Sequence, residues 1–455
     1  MKTKSKTPIP QAVYRVSELV ANMVKRVNIG TNLAIWHVLI TVMSGRLLAS
    51  RGAIIPALSA GGLDRQATMR AWRGAAGGVW QANEMLKRLN EQVASEGQWE
   101  SLKVGGRNVK AYDTLGIFRP RLQSGAGKHY DSQAGKALPA ITFGILGAVG
   151  KVKEQAVTLP LKIVRGEGQA ANSDDVLMEA LIKAAVSEIS DDDVVTADRK
   201  FPPVKLLENG CKALVLRRPK NMTLRRTEIA VYKGRGRKPT QGEVVRPFAR
   251  TYKGNLHPAT QPDDTQTWHE MYTGEEVKVT AHIWRGVMPM PQKDWTDAQR
   301  KVVQQTAWVA IVAHHPAFKQ PLVILMTVDF TAHEARQVVR GRWGIEQPPL
   351  VAKQLLGGHR QFVHDPEMCF RLPELIFVAG AALTYLAATS DPIPTGWWDK
   401  HPKPTAGRLR RQLSKVALPD LPLPDQLRKK NSQTVQLPIG FHPALAAARL
   451  QSFVT

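Results

Sequence analysis

Only two cysteines, Cys211 and Cys369, occur in 455 residues. Alone they cannot build a disulfide framework or a zinc site, so a reducing, cytosolic setting is expected. Long apolar runs are also missing. The two longest, residues 137–150 and 375–388, fall short of the roughly 20 residues that span a bilayer. The run 33–43 starts late and carries His37, which makes it a poor signal peptide. Acidic charge is scarce as well: 38 Asp and Glu stand against 63 Lys and Arg, a formal net charge of +25. Such a field favours polyanions. With no membrane span in sight, nucleic acid is the expected partner, and the membrane is not. No internal repeat is evident.

What is present divides into five stretches. Residues 1–100 open with a short basic lead and then read as helices. Within them, residues 53–60, a Gly61–Gly62 break and residues 63–74 have helix-turn-helix spacing, with Arg70 and Arg73 on the second segment able to face DNA. An ordinary helix pair has the same spacing. Trp72 and Trp80 read as core.

Residues 104–211 change to strands. Residues 108–118 form a β-rich run with Asp113 inside it, and 138–149 is almost unbroken in apolarity, as in a strand buried on both faces. Residues 155–164 follow as a third strand. A helix capped at Ser173 or Asp174 carries the stripe Val176, Leu177, Ala180, Leu181, Ala184 and Ala185. Asp191–Asp193 reads as a solvated acidic turn, 194–197 as a strand ending at Asp198, and 202–209 as a short helix.

Residues 212–305 hold short β-type runs, among them 212–216, 228–231 and 277–284, between Gly and Pro turns. Residues 217–253 contain twelve Lys or Arg against two Glu. The segment YKGRGRKP, with Arg235, Arg237 and Lys238, reads as a phosphate-tracking surface or as a solvated loop. Trp268, Trp284 and Trp295 each read as core, although any could stack on a base.

In residues 306–390, strands 307–313 and 321–328 form a hairpin through a turn at His314 and His315. Thr331 and Glu334 then have the spacing of a capping box. Arg342 and Glu346, four apart, share a helix face, and Lys353 lies two turns on. Pro348 lacks an N–H and should kink or restart the helix. A solvated helix with i,i+4 ion pairs has the same spacing. An apolar helix covers 373–389. Residues 391–455 read as a Pro-rich, basic, partly extended tail with Arg408, Arg410, Arg411 and Arg428.

Four stretches together carry a family resemblance: AYDTLGIFRPRL, GKHYDSQAGKALPAITFGILG, VVTADRKFPPVKLLE and RGRWGIEQPPLVAKQLLG. The chain resembles bacterial insertion-sequence transposases of the DDE type. Their signature around the third acid is Tyr-x2-Arg-x3-Glu-x6-Lys. Arg342, Glu346 and Lys353 match it, and Val339 stands at the tyrosine position. The resemblance implies an α/β fold with an RNase H-like catalytic core, interrupted by a β-rich insertion and preceded by a helical N-terminal region. It implies Asp113, Asp198 and Glu346 as catalytic metal ligands for Mg2+ or Mn2+, in two ions. It further implies Arg342 and Lys353 on the DNA backbone, DNA ends and target as partners, a homodimer or larger assembly, and a cytoplasmic, nucleoid-associated setting. A stand-alone metal-dependent nuclease and an inactive DNA-binding relic are the rivals.

Overall fold

The computed structural model describes residues 10–119, 127–131, 134–166, 174–229, 231–232, 234, 239–359 and 362–427. It is a mixed α/β protein with helices packed on a large mixed sheet. Arg235, Arg237, Lys238, Ser173 and Arg428 lie outside the described residues.

The sheet is built around β1 (Arg107–Phe118), which carries Asp113. Two further strands, β2 (Gly127–Asp131) and β3 (Lys136–Ala148), and then β4 (Leu159–Arg165), extend one flank. On that flank β3 runs antiparallel between β1 and β4, and β2 also pairs with β3. Its long buried centre explains the unbroken apolar run.

The other flank starts with β5 (Asp193–Ala197), parallel to β1, then β6 (Leu214–Arg217), parallel to β5. Beyond it come β7 (Leu224–Arg226), β8 (Asp264–Tyr272), β9 (Glu275–Pro289), β10 (Trp308–His314) and β11 (Leu322–Met326). They add in the order β6, β11, β10, β9, β7, with β8 also on β9, to one sheet of thirteen strands. Most strands from 212–305 thus continue the main sheet, while Arg250–Tyr252 and Asn255–His257 pair only with each other. Among the described residues of 228–231 none is in a strand, and Glu228 sits in a bend after β7.

Alternation along the strands sorts the two faces. Val109, Ala111, Leu115 and Ile117 of β1 point to one core cluster, and Tyr112 points to the other. Helices α1 (Gln11–Val24), α2 (Thr31–Met43), α3 (Ile54–Ala60), α4 (Arg65–Gly77) and α5 (Ala82–Glu96) contribute to the first cluster. The second face is covered by α6 (Asp174–Ala184) and α7 (Pro203–Glu208). The buried side of α6 is Leu177, Met178, Leu181 and Ile182, while Val176 is exposed. The expected stripe was therefore rotated by about one residue. Apolar residues flank it on both sides, and burial against β3 selects between them.

Helix α8 (Ala332–Arg342) starts as the sequence predicts. The Thr331 hydroxyl accepts from the Glu334 N–H, and the Glu334 carboxylate accepts from the Thr331 N–H. The path continues as a 3-10 turn at Trp343–Glu346, a short helix at Gln347–Leu350 and a π turn at Val351–Leu355. The helix restarts at the prolines, as expected: Pro348 stands in the first turn of the short helix, where an N–H has no partner within the helix anyway.

Helix α9 (Pro366–Thr389) begins earlier than the apolar run suggested, capped by Asp365. At 24 residues it is long and apolar enough to cross a membrane, yet 89% of its apolar window is buried in the protein. It is the core helix of the first face. The tail is also more folded than expected. In α10 (Ala406–Ser414), Leu409 and Leu413 are buried, Arg408 pairs with Asp399 at 2.6 Å, and the Arg410 guanidinium donates to the Leu355 carbonyl. The Leu418 N–H reaches the Gly61 carbonyl, so this segment seals the N-terminal helices.

Candidate active site

Parallel pairing fixes where the first two acids meet. Tyr112 of β1 is the Cα partner of Ala197 of β5. One residue further along both chains come Asp113 and Asp198, and adjacent strands lie about 4.8 Å apart. Asp113 shares a face with Ala111 and Leu115, and Asp198 follows the alternation of Val194 and Thr196 to that same face. A turn closed by the Phe201 N–H on the Asp198 carbonyl ends the strand there. The Arg218 guanidinium then ties down the Arg199 and Phe201 carbonyls.

The third acid arrives on the 3-10 turn after α8. Close approach requires small residues at the contact. A Cβ on Gly147 of β3 would lie 2.4 Å from the Ile345 side chain, and one on Gly344 would lie 2.4 Å from the Thr158 hydroxyl. Valine at 147 would have to push the turn, and Glu346 with it, off the sheet.

Arg342 joins two of the acids. Its Nη1 stands 3.3 Å from Asp113 Oδ2 and its Nη2 3.4 Å from Glu346 Oε1. The guanidinium is buried, with 3% of the side chain exposed, and its Nε has no hydrogen-bond partner among the described residues. Asp113 also accepts from the Thr114 N–H at 2.8 Å. Burial pushes the Asp113 carboxyl above its usual range despite Arg342, and the charge of Asp198 adds to the rise. Burial likewise raises Glu346, with further contributions from Asp113 and Asp198. Asp113, Asp198 and Glu346 therefore act on one another electrostatically, and burial outweighs the Arg342 charge at Asp113 and Glu346.

Asp198 has Arg217 Nη1 at 3.6 Å, too long for a hydrogen bond, and its Oδ1 is buried with no hydrogen-bond partner among the described residues. Lys353 is half-buried, and burial lowers its ammonium against the pull of Asp113, Asp131 and Glu346. Lys353 thus lies within electrostatic reach of Asp113 and Glu346.

Every donor in the group is a carboxylate oxygen, the ligand type of a hard divalent ion. Among the described residues, no three acidic, His or Cys side chains stand close enough to share one ion. Arg342 spans the ground between Asp113 and Glu346. The donors fit Mg2+ or Mn2+ in kind, and Arg342 must withdraw for them to close.

Other expected contact residues lie elsewhere. Arg70 and Arg73 are exposed on α4, which packs on α2. Trp284 is buried as expected, and Trp268 and Trp295 are partly buried against the core. One reading needs correction. Asp193 is not in a solvated turn: it is buried, opens β5 and pairs with Lys110 at 2.7 Å. His315 stands in the turn as expected, its Nδ1 accepting from the Ala317 N–H, and its side chain is 2% exposed and lies 3.3 Å from Glu270. Sequence reasoning missed Arg217, whose only signal was its place at a strand end one register from Asp198. It also missed Trp343, 54% exposed beside the Arg342 guanidinium.

No family model matches the chain, and no curated protein matches it. Among solved structures it is similar to the NurA nuclease from Sulfolobus solfataricus. That likeness has a TM-score of 0.24 and 10% identity, over 56% of this chain and 82% of that one, too loose to bear on fold or activity.

Proposed function

We propose that this protein is a DDE-type DNA transposase with an RNase H-like core, cutting phosphodiester bonds at transposon ends and joining them to target DNA. The observation that carries the reading is that Asp113 and Asp198 stand at adjoining positions of neighbouring parallel strands, with Arg342 linking Asp113 to Glu346. Strand order supports it. An antiparallel run β4–β3–β1 followed by parallel β5 and β6 is the arrangement of an RNase H-like sheet, with the first acid mid-strand and the second at the end of β5.

Asp113, Asp198 and Glu346 would hold Mg2+ or Mn2+, expected as two ions. When bound, these ions supply Lewis-acid activation of the attacking oxygen and neutralisation of the leaving one. The chain's own residues do the rest. Arg342, once released from the acids, and Lys353 offer cations to the phosphate backbone beside the cut. The glycine contacts at 147 and 344 keep Glu346 pressed to the sheet. The +25 net charge draws DNA in, and Arg70, Arg73, Arg235, Arg237 and Lys238 would add backbone contacts. Two DNA ends handled together call for a dimer or larger assembly. The setting would be the cytoplasm, on the nucleoid.

The test supplies the purified chain with a labelled duplex bearing the inverted repeats that flank its gene, a scrambled duplex and a target plasmid. Mg2+-dependent nicking at the repeat ends followed by joining to the plasmid is the expected result. Cutting of both duplexes without joining would make the protein a plain nuclease. Binding with no cutting in Mg2+ or Mn2+ would leave a DNA-binding relic.

A further inference from the structure

Glu270, on β8, is 9% exposed at its side chain, and both its oxygens are engaged. Arg336 donates from Nε at 3.0 Å to one and from Nη2 at 2.9 Å to the other, a bidentate pair. Arg340 adds a third contact at 3.4 Å, the Trp268 indole N–H reaches Oε2 at 3.3 Å, and His315 stands at 3.3 Å. The Arg336 hydrogen bond foremost, with its charge, Trp268 and Arg340, holds the Glu270 carboxyl down at about 2.

These contacts belong to a longer row. Gln266, Trp268 and Glu270 alternate onto one side of β8. Gln266 accepts the Ala332 N–H at 2.9 Å, the Trp268 ring lies 5.4 Å from that of His333, and Glu270 takes Arg336 and Arg340. Residues 332, 336 and 340 form one stripe of α8. The strand therefore grips the helix from its first turn to its last. Directly after that stripe come Arg342 and Glu346.

We infer that Glu270 is a positioning residue: its ion pairs with Arg336 and Arg340 fix α8 against β8 and so hold the following turn, with Glu346, beside Asp113. The inference rests on the transposase reading for its effect on catalysis, but not for its effect on the helix. Losing the carboxylate leaves Arg336, itself 5% exposed, buried beside no counter-charge, so the helix end must shift to rehydrate it. A displacement of about 1 Å in a reacting group costs on the order of 10²-fold in rate.

The experiment compares full-length wild type, Glu270→Gln, Glu270→Asp and Arg340→Gln by hydrogen–deuterium exchange across residues 332–346 and by steady-state cleavage of repeat-end DNA. For Glu270→Gln, exchange in that segment is expected to rise about tenfold while β1, β3 and β5 keep their protection. Its kcat should fall on the order of 10–100-fold, with KM for DNA within about threefold. Glu270→Asp, which keeps the charge, should recover part of both. Arg340→Gln, which removes a half-exposed partner and leaves the fold intact, should move both readouts the same way by about two- to threefold if Glu270→Gln fails to fold. Wild-type exchange and kcat in Glu270→Gln, or no movement in Arg340→Gln if the former is unfolded, would overturn the inference. Faster exchange in a protein whose wild type cuts no DNA would sink the transposase reading and leave the positioning role standing.

Discussion

Asp113→Asn is expected to abolish DNA cleavage, by on the order of 10³-fold, while DNA affinity stays within a few-fold and the melting temperature does not fall. On the proposed function, the rate loss follows from removing one of the three carboxylates that would hold the metal. The stability result follows from proton linkage. Folding raises the Asp113 carboxyl above its unfolded value, chiefly through burial. A raised acid binds its proton more tightly in the folded chain. Its contribution to stability is thus present below the unfolded pKa and lost as pH climbs through the folded one. At neutral pH the ionised form costs stability, and the neutral amide avoids that cost. Differential scanning fluorimetry in EDTA, run beside a cleavage assay in Mg2+, checks both halves. A large fall in melting temperature together with the lost activity would mean that Asp113 is a structural acid.

The second large effect concerns Arg342. Arg342→Met removes the only cation that contacts both Asp113 and Glu346 among the described residues. Breaking a buried pair from one side typically costs about 3–5 kcal/mol, and about 2–3 kcal/mol is expected here because Glu346 is 47% exposed and solvent screens it. Mg2+ should restore part of that loss, since an ion can now enter between the acids. Urea denaturation with and without Mg2+ measures both terms. A variant whose stability ignores Mg2+ would show that the three carboxylates do not act on a common cation.

Local chemistry was legible in the sequence, and long-range choice was less so. The Thr331–Glu334 box announces the start of α8 because both partners lie within one turn. Asp113 and Asp198 could be set on strands because their neighbours alternate or run apolar. That Arg342 bridges to Asp113 could not be read, since the contact joins residues 229 apart and depends on how closely the glycines let the helix approach. The α6 stripe was ambiguous for a similar reason: Met178 and Val176 are equally apolar, and only the facing strand decides which is buried. Asp193 looked solvated beside two other acids until Lys110 on the neighbouring strand supplied its partner. The tail looked extended because prolines and arginines dominate it, yet four spaced leucines, Leu409, Leu413, Leu418 and Leu421, fasten it to the N-terminal helices.

The most direct measurement is anomalous diffraction from crystals of the protein soaked in Mn2+. The account predicts a manganese peak touching Asp113 and Asp198, with the Arg342 guanidinium withdrawn from Glu346. Arg342 still spanning Asp113 and Glu346, with no peak beside them at saturating Mn2+, would contradict it.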